Sequence, residues 1–327
     1  MVKQGVLPLP GSGKELLKRE ILPYFAQPVK DMLLDLGEDS CLQLEEIRLR
    51  CGQPLLLKVG DKDFTLDPRG RFSEDILSGY RVGEEDIYRA IASISDNSLY
   101  AFEEEIRRGF ITVAGGHRVG LAGQVVLQGE LVKTMKDFSS LCFRIARAVK
   151  DCSLPLLPYI NGGSGGTSVN TLIISPPRCG KTTILRDLAR LLACGSKRFP
   201  ARNVVIVDER SELAGSYRGI PQLDVGPRTD VLDACPKAQG MIMALRSLSP
   251  QVIITDEIGR QEDVVAIQEC VNAGVAVISS VHASSLDELQ KRPVMKELLS
   301  TQAFKLAVIL SRRNGPGHIQ DIVRWDQ

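Results

Sequence analysis

The sequence has one tryptophan and three histidines, and none of its eight cysteines stands in a C-x-x-C pair. With so few imidazoles and no paired thiols, no recognisable zinc spacing can be assembled, which excludes a structural zinc module. Cys41, Cys51, Cys142 and Cys194 sit among apolar neighbours as small core residues do, so reduced thiols are expected and a disulfide framework is not. No segment approaches the roughly 18 uninterrupted apolar residues of a membrane span, and the start of the chain lacks the apolar stretch of a signal peptide. A soluble, cytoplasmic protein is expected. Charge of one sign is missing too: 41 Lys and Arg oppose 40 Asp and Glu, a net of +1. That balance excludes a global pull toward nucleic acid or anionic membrane and leaves only local patches. The basic runs Lys197-Arg198 and Arg312-Arg313 are short and carry no aromatic ladder, so no dedicated nucleic-acid partner is expected.

What is present is ordinary globular composition, 43% hydrophobic and 25% charged. At roughly 150 residues per domain the length predicts about two domains. Asn161-Gly-Gly-Ser-Gly-Gly-Thr-Ser168, behind the proline-punctuated Leu154-Pro-Leu-Leu-Pro-Tyr159, marks the seam. Residues 1–152 are expected to form an N-terminal domain, 153–168 a Pro/Gly-rich linker and 169–327 a second domain. In the first, Val29 to Leu36 and Glu84 to Ile94 have helical spacing. Glu46 to Val59 reads as strands broken at Gly52-Gln-Pro54, and Gly109 to Leu127 alternates like paired strands with glycines at the turn. That mixture predicts a smaller α+β domain. After residue 168, apolar runs at Thr171–Ile174, Val204–Val207, Val252–Thr255 and Val275–Val281 alternate with helical segments. Such a rhythm predicts an α/β domain with a mostly parallel sheet covered on both faces.

The strand Thr171-Leu-Ile-Ile174 runs into Ser175-Pro-Pro-Arg-Cys-Gly-Lys-Thr182, and Thr183 to Leu192 continues as an amphipathic helix. Strand, loop and helix in this order are the context of a phosphate-binding loop, in which inward amides and a helix N-terminus hold polyphosphate. Ser175, Pro176, Pro177, Arg178, Cys179, Gly180, Lys181, Thr182 and Thr183 are its candidate nucleotide-binding residues. Lys181 would reach the β and γ phosphates of ATP, and the Thr182 hydroxyl would ligate Mg²⁺. Ser175 stands where the usual motif has its first glycine, so a positive φ there would strain the loop. Cys179, beside Lys181 and a helix N-terminus, is expected to be a reactive thiol if accessible.

Three strand ends carry the remaining chemistry. Val252-Ile-Ile-Thr-Asp-Glu257 supplies Asp256 as a water-mediated magnesium partner and Glu257 as the group positioning the attacking water. Val204-Val-Ile-Val-Asp-Glu209 supplies Glu209, which could orient metal or water, and neighbouring parallel strands would bring both acidic pairs to one crevice. His282 follows the strand Val275 to Val281 and would hydrogen-bond the γ-phosphate and report its loss.

A phosphate loop, an acidic box at Val207-Asp-Glu-Arg210, a second acidic motif at Ile254-Thr-Asp-Glu-Ile-Gly-Arg260 and a histidine box at Ser280-Val-His-Ala-Ser284 occur in that order. In this the second domain resembles the hexameric secretion and pilus-retraction ATPases, although Asp256 stands where that family has glycine. From about residue 40 onward the chain also resembles the stage III sporulation AA family of endospore-forming bacteria. The matching stretches are Glu45-Glu-Ile-Arg-Leu-Arg50, Gly115-Gly-His-Arg-Val-Gly120, Asp208-Glu-Arg-Ser-Glu212, Asp224-Val-Gly-Pro-Arg-Thr-Asp230 and Arg246-Ser-Leu-Ser-Pro250. The resemblance implies a RecA-like P-loop core behind the α+β domain, with ATP and Mg²⁺ as cofactors and Lys181, Glu209, Glu257 and His282 as catalytic residues. It further implies a homo-oligomer in the form of a hexameric ring, peripheral at the cytoplasmic face of the mother-cell membrane. There it would energise a secretion-like sporulation channel built of membrane proteins. A nucleotide-dependent nucleic-acid motor and an ATP-gated scaffold are the alternatives, separated from this reading by single-stranded DNA binding and by phosphate release.

Overall fold

The computed structural model describes residues 12–162, 167–313 and 315–325. It divides into two compact units, Met1–Ala146 and Arg147–Gln327.

In the first unit, seven strands form one antiparallel sheet in the order β4-β3-β2-β1-β7-β6-β5. They are β1 (Leu44–Arg50), β2 (Leu56–Val59), β3 (Lys62–Leu66), β4 (Phe72–Ser73), β5 (Phe110–Val113), β6 (His117–Gln128) and β7 (Leu131–Arg144). Alternation decides which way each strand faces. Ile47 and Leu49 pair with Phe143 and Leu141 inside, while Glu46, Arg48 and Arg50 take the opposite face. Helix α1 (Glu84–Ile94) buries Ile87, Ala90, Ile91 and Ile94 in the same core. Its first turn is acidic, as the macrodipole favours, and Asp86 accepts the Gly83 amide at 2.8 Å. The expected glycine turn between β5 and β6 is present, with Gly115 at φ 84°. A β-carbon there would lie 2.5 Å from Glu20 Oε2 and 2.6 Å from His117 Nε2, a buried pair that only glycine admits.

The second unit is also built on seven strands, in the order β10-β9-β11-β12-β8-β13-β14. These are β8 (Thr171–Ser175), β9 (Val204–Asp208), β10 (Thr229–Asp233), β11 (Val252–Glu257), β12 (Ala276–His282), β13 (Leu306–Ser311) and β14 (His318–Arg324). All neighbours are parallel except β13 and β14. The α/β class with a mostly parallel sheet is therefore the one found. Central strands are buried along their length because both faces are covered. Ile173, Ile206, Ile254 and Ile278 pack with Ile184, Leu185 and Leu188 of α2 (Lys181–Cys194). The alternate residues Leu172, Val205, Ile253 and Val277 pack on the other face. Their partners there include Met241 of α3 (Lys237–Ser247), Ile267 of α4 (Gln261–Asn272) and Leu298 of α5 (Pro293–Ser300). Parallel order has one decisive consequence: the carboxyl ends of β9, β11, β12 and β8 lie side by side on one edge.

The segment expected as a linker behaves differently in its first part. Leu156, Leu157 and Ile160 are buried in the second unit's core, and the Ser153 hydroxyl donates to Asp187 at 2.7 Å. Apolar residues at helical spacing and a buried carboxylate hold this stretch to the unit despite its prolines. Residues 163–166, the glycine-rich part of the expected linker, lie outside the described residues.

Candidate functional site

Ser175 closes β8 in register with His282 of β12 and does not take a positive φ. The left-handed positions of the loop are instead Arg178 (φ 60°) and Gly180 (φ 86°), and Gly180 caps α2. The serine therefore substitutes for the first glycine without the expected strain, whereas Arg178 bears a conformation costing an L-residue about 1 kcal/mol. A β-carbon on Gly180 would come within 2.7 Å of the Gly317 nitrogen, so the turn between β13 and β14 fixes this position as glycine. Gly317 in turn donates its amide to the Cys179 carbonyl at 2.8 Å. Cys179 itself is only 2% exposed, with its thiol 3.7 Å from the Pro177 carbonyl. Close packing thus removes the accessibility on which a reactive thiol depends.

Lys181 begins α2 and folds back over the loop. Its Nζ lies 3.3 Å from Ser175 Oγ, 3.4 Å from the Ser175 and Pro176 carbonyls, and donates to His282 Nδ1 at 2.7 Å. Burial lowers the pKa of this ammonium, against the attraction of Glu257. Because His282 accepts on Nδ1, a neutral ring carries its proton on Nε2, which stands 3.4 Å from Glu257 Oε2. Lys181, His282 and Glu257 are thus linked in series across β8, β12 and β11. Pro176, Pro177, Thr182 and Thr183 complete the loop and the first turn of the helix.

A second grouping stands beside the first. Glu209 Oε2 and Asp256 Oδ1 lie 3.2 Å and 3.0 Å from Lys237 Nζ, and the same ammonium donates to the Glu257 carbonyl at 2.6 Å. Asp256 has its pKa raised by burial, opposed by Lys237. For Lys237 burial acts downward, but Asp256, then Asp263 and Glu209, outweigh it and the net shift is upward. Asp263, in the first turn of α4, accepts the amides of Gly259 and Arg260 at 3.1 and 3.0 Å and fixes the chain leaving β11. The two expected acidic pairs therefore share one edge, and Asp256 Oδ1 stands 3.0 Å from Lys237 Nζ.

Asp208 serves the loop after β9. Fully buried, it accepts the amides of Glu212 at 2.8 Å and Ala214 at 2.9 Å. Burial pushes its pKa up to about 6 despite those bonds. Arg186 of α2 donates to the Leu213 carbonyl at 2.5 Å, the Glu212 carbonyl at 2.7 Å and the Arg147 carbonyl at 3.2 Å. Its own pKa falls to about 10 through burial, opposed chiefly by Asp208. Carboxylate and guanidinium thus clamp amides and carbonyls of one loop, and that loop carries Glu209. Sequence reasoning missed Arg186 and Lys237. The local signal for Lys237 is its place directly after Pro236, where the edge strand β10 gives way to α3.

The residues present suit a magnesium nucleotide. Among the described residues no group of three or more His, Cys, Asp and Glu converges as a metal cage. Thr182 offers one hydroxyl at the N-terminus of α2, and Asp256 one carboxylate near the end of β11. Magnesium binds in this way, through few protein ligands and with phosphate and water oxygens completing the shell. No helix among the described residues is long and apolar enough to cross a membrane.

The fold is similar to that of the solved ATPase DotB of Legionella pneumophila, with TM-score 0.57 and 18% identity over 86% of this chain and 75% of that one. The pilus retraction motor PilT, solved with bound ADP, is similar at TM-score 0.52 and 14% identity over 89% of this chain and 77% of that one. Stage III sporulation protein AA of Bacillus subtilis (strain 168) is 44% identical over 307 residues, 94% of this chain and 95% of that protein. A family model described as Sporulation stage III, protein AA, matches residues 16–326, and the chain belongs to that family.

Proposed function

We propose that the chain is a magnesium-dependent ATPase of the secretion-motor kind, working as a homo-oligomeric, hexameric ring. In this reading it lies at the cytoplasmic face of the mother-cell membrane and energises a sporulation channel built of membrane proteins. The observation that carries the activity is the series Lys181, His282 and Glu257 at the shared edge of β8, β12 and β11. Lys181 and the loop amides bind the phosphate tail, the left-handed Gly180 allows close approach, and the N-terminus of α2 favours anionic charge. Thr182, and Asp256 through water, are the residues to hold magnesium, which when bound would neutralise phosphate charge. Glu257 orients water, and His282 couples that carboxylate to Lys181 so that a change at one is felt at the other. Glu209 stands one strand further along the edge, 3.2 Å from Lys237 Nζ. The ADP bound to PilT and the description of DotB as an ATPase support nucleotide as the ligand. The membership in a sporulation family supports the setting. Steady-state phosphate release from ATP by the full chain tests the proposal. Release that requires magnesium and whose specific rate rises with protein concentration is expected, and no release at any concentration contradicts it.

A further inference from the structure

Lys237 is a lysine that phosphate-loop chemistry does not require, yet it is 6% exposed. It begins α3 directly beyond β10 and reaches across the ends of two other strands. Its Nζ meets Glu209 Oε2 at 3.2 Å, Asp256 Oδ1 at 3.0 Å and the Glu257 carbonyl at 2.6 Å. Its hydrogen bonds go to Glu209 Oε2 and the Glu257 carbonyl, and Asp256 Oδ1 stands within ion-pair distance. Removing this buried ammonium would leave Glu209 and Asp256 repelling each other, with Arg210 the remaining cation acting on Asp256. Arg260 also pairs with Glu209, at 3.9 Å from Oε1, but it is largely exposed and its charge is screened by water.

The contact with residue 257 ties this cluster to the loop. Lys237 holds the main chain of Glu257, and the carboxylate of the same residue stands 3.4 Å from His282 Nε2. A reacting group displaced by about 1 Å can lose about 10²-fold in rate. We infer that Lys237 is a positioning residue: an internal cation that gathers Glu209 and Asp256 and sets the backbone from which Glu257 presents its carboxylate to the loop. This rests on the hydrolase reading above.

The test uses the full chain with Lys237→Met, Asp256→Asn and the double variant. Without nucleotide, Lys237→Met lowers the melting temperature, and adding Asp256→Asn recovers part of the loss because it neutralises the stranded carboxylate. With nucleotide, Lys237→Met lowers kcat at least about 30-fold while ADP affinity stays within about threefold, a split that general loosening of the fold would not give. If the single variant fails to fold, the double variant carries the kinetic measurement, and its kcat falls below that of Asp256→Asn alone; equal values overturn the inference. Additive melting shifts overturn the inference, as does a kcat for Lys237→Met near that of an active wild type. Should the wild type release no phosphate, the hydrolase reading fails. The nucleotide-free melting cycle then still reports whether Lys237 gathers the acidic pair.

Discussion

The two sheets divide their residues in different ways. In the first unit burial alternates along the central strand β1, so Ile47 and Leu49 face a core and Arg48 and Arg50 do not. In the second unit β9 and β11 are buried on both faces, and ionisable groups are confined to their carboxyl ends. Strand interiors there hold the fold, and strand ends carry the ionisable groups. Stability and activity should therefore separate along the length of a single strand.

Substitutions at chosen points sharpen that contrast. Inside β9, Ile206→Ala should cost about 2–5 kcal/mol in urea unfolding, because a fully buried side chain leaves a cavity in a sheet that cannot collapse around it. At the end of β11, Glu257→Gln should lower turnover by about 10²–10⁴-fold with little change in the melting temperature, measured by phosphate release and thermal unfolding. Equal loss of stability from both would break the comparison.

Asp208 tests the point where interior and end meet. Its pKa in the folded protein, about 6, lies above the ordinary carboxylate range because the group is buried. The folded state thus favours the protonated form. The stability contributed is fully present below about pH 4 and is lost as pH rises through 6, roughly 3 kcal/mol in all. Urea unfolding of Asp208→Asn between pH 4 and 7 should lack that part of the decline. On the first sheet the smallest effect is expected: Val125→Ala, at a position 45% exposed, should change unfolding stability by no more than about 0.5 kcal/mol.

Much of this division was legible in the sequence because it is local. The strand, loop and helix from Thr171 to Leu192, the carboxylates that end two apolar runs, and the glycine turn before His117 all show within a few residues. Strand β10 was not legible. Thr229–Asp233 is a half-buried edge whose polar residues mask the strand signal, and with it went the position of Lys237. The run Leu306–Leu310 is apolar enough for a strand, but so short a run is indistinguishable from buried helix by pattern alone. Arg186 and Asp187 were hidden for another reason. Both lie on an amphipathic helix, where charge reads as solvent-facing, yet their partners come from 27 and 34 residues away. Cys179 illustrates the same limit: its neighbours in sequence favour a reactive thiol, and Gly317, packed from the far end of the chain, helps to close the loop around it.

Every role proposed for the strand ends depends on nucleotide binding at the phosphate loop. Calorimetric titration of magnesium ATP into the wild type and into folded Lys181→Ala reads that binding most directly. Saturable heat from the wild type and its loss in the variant are expected. Equal heats from both proteins, or none from a folded wild type at millimolar nucleotide, would contradict a triphosphate site built around Lys181.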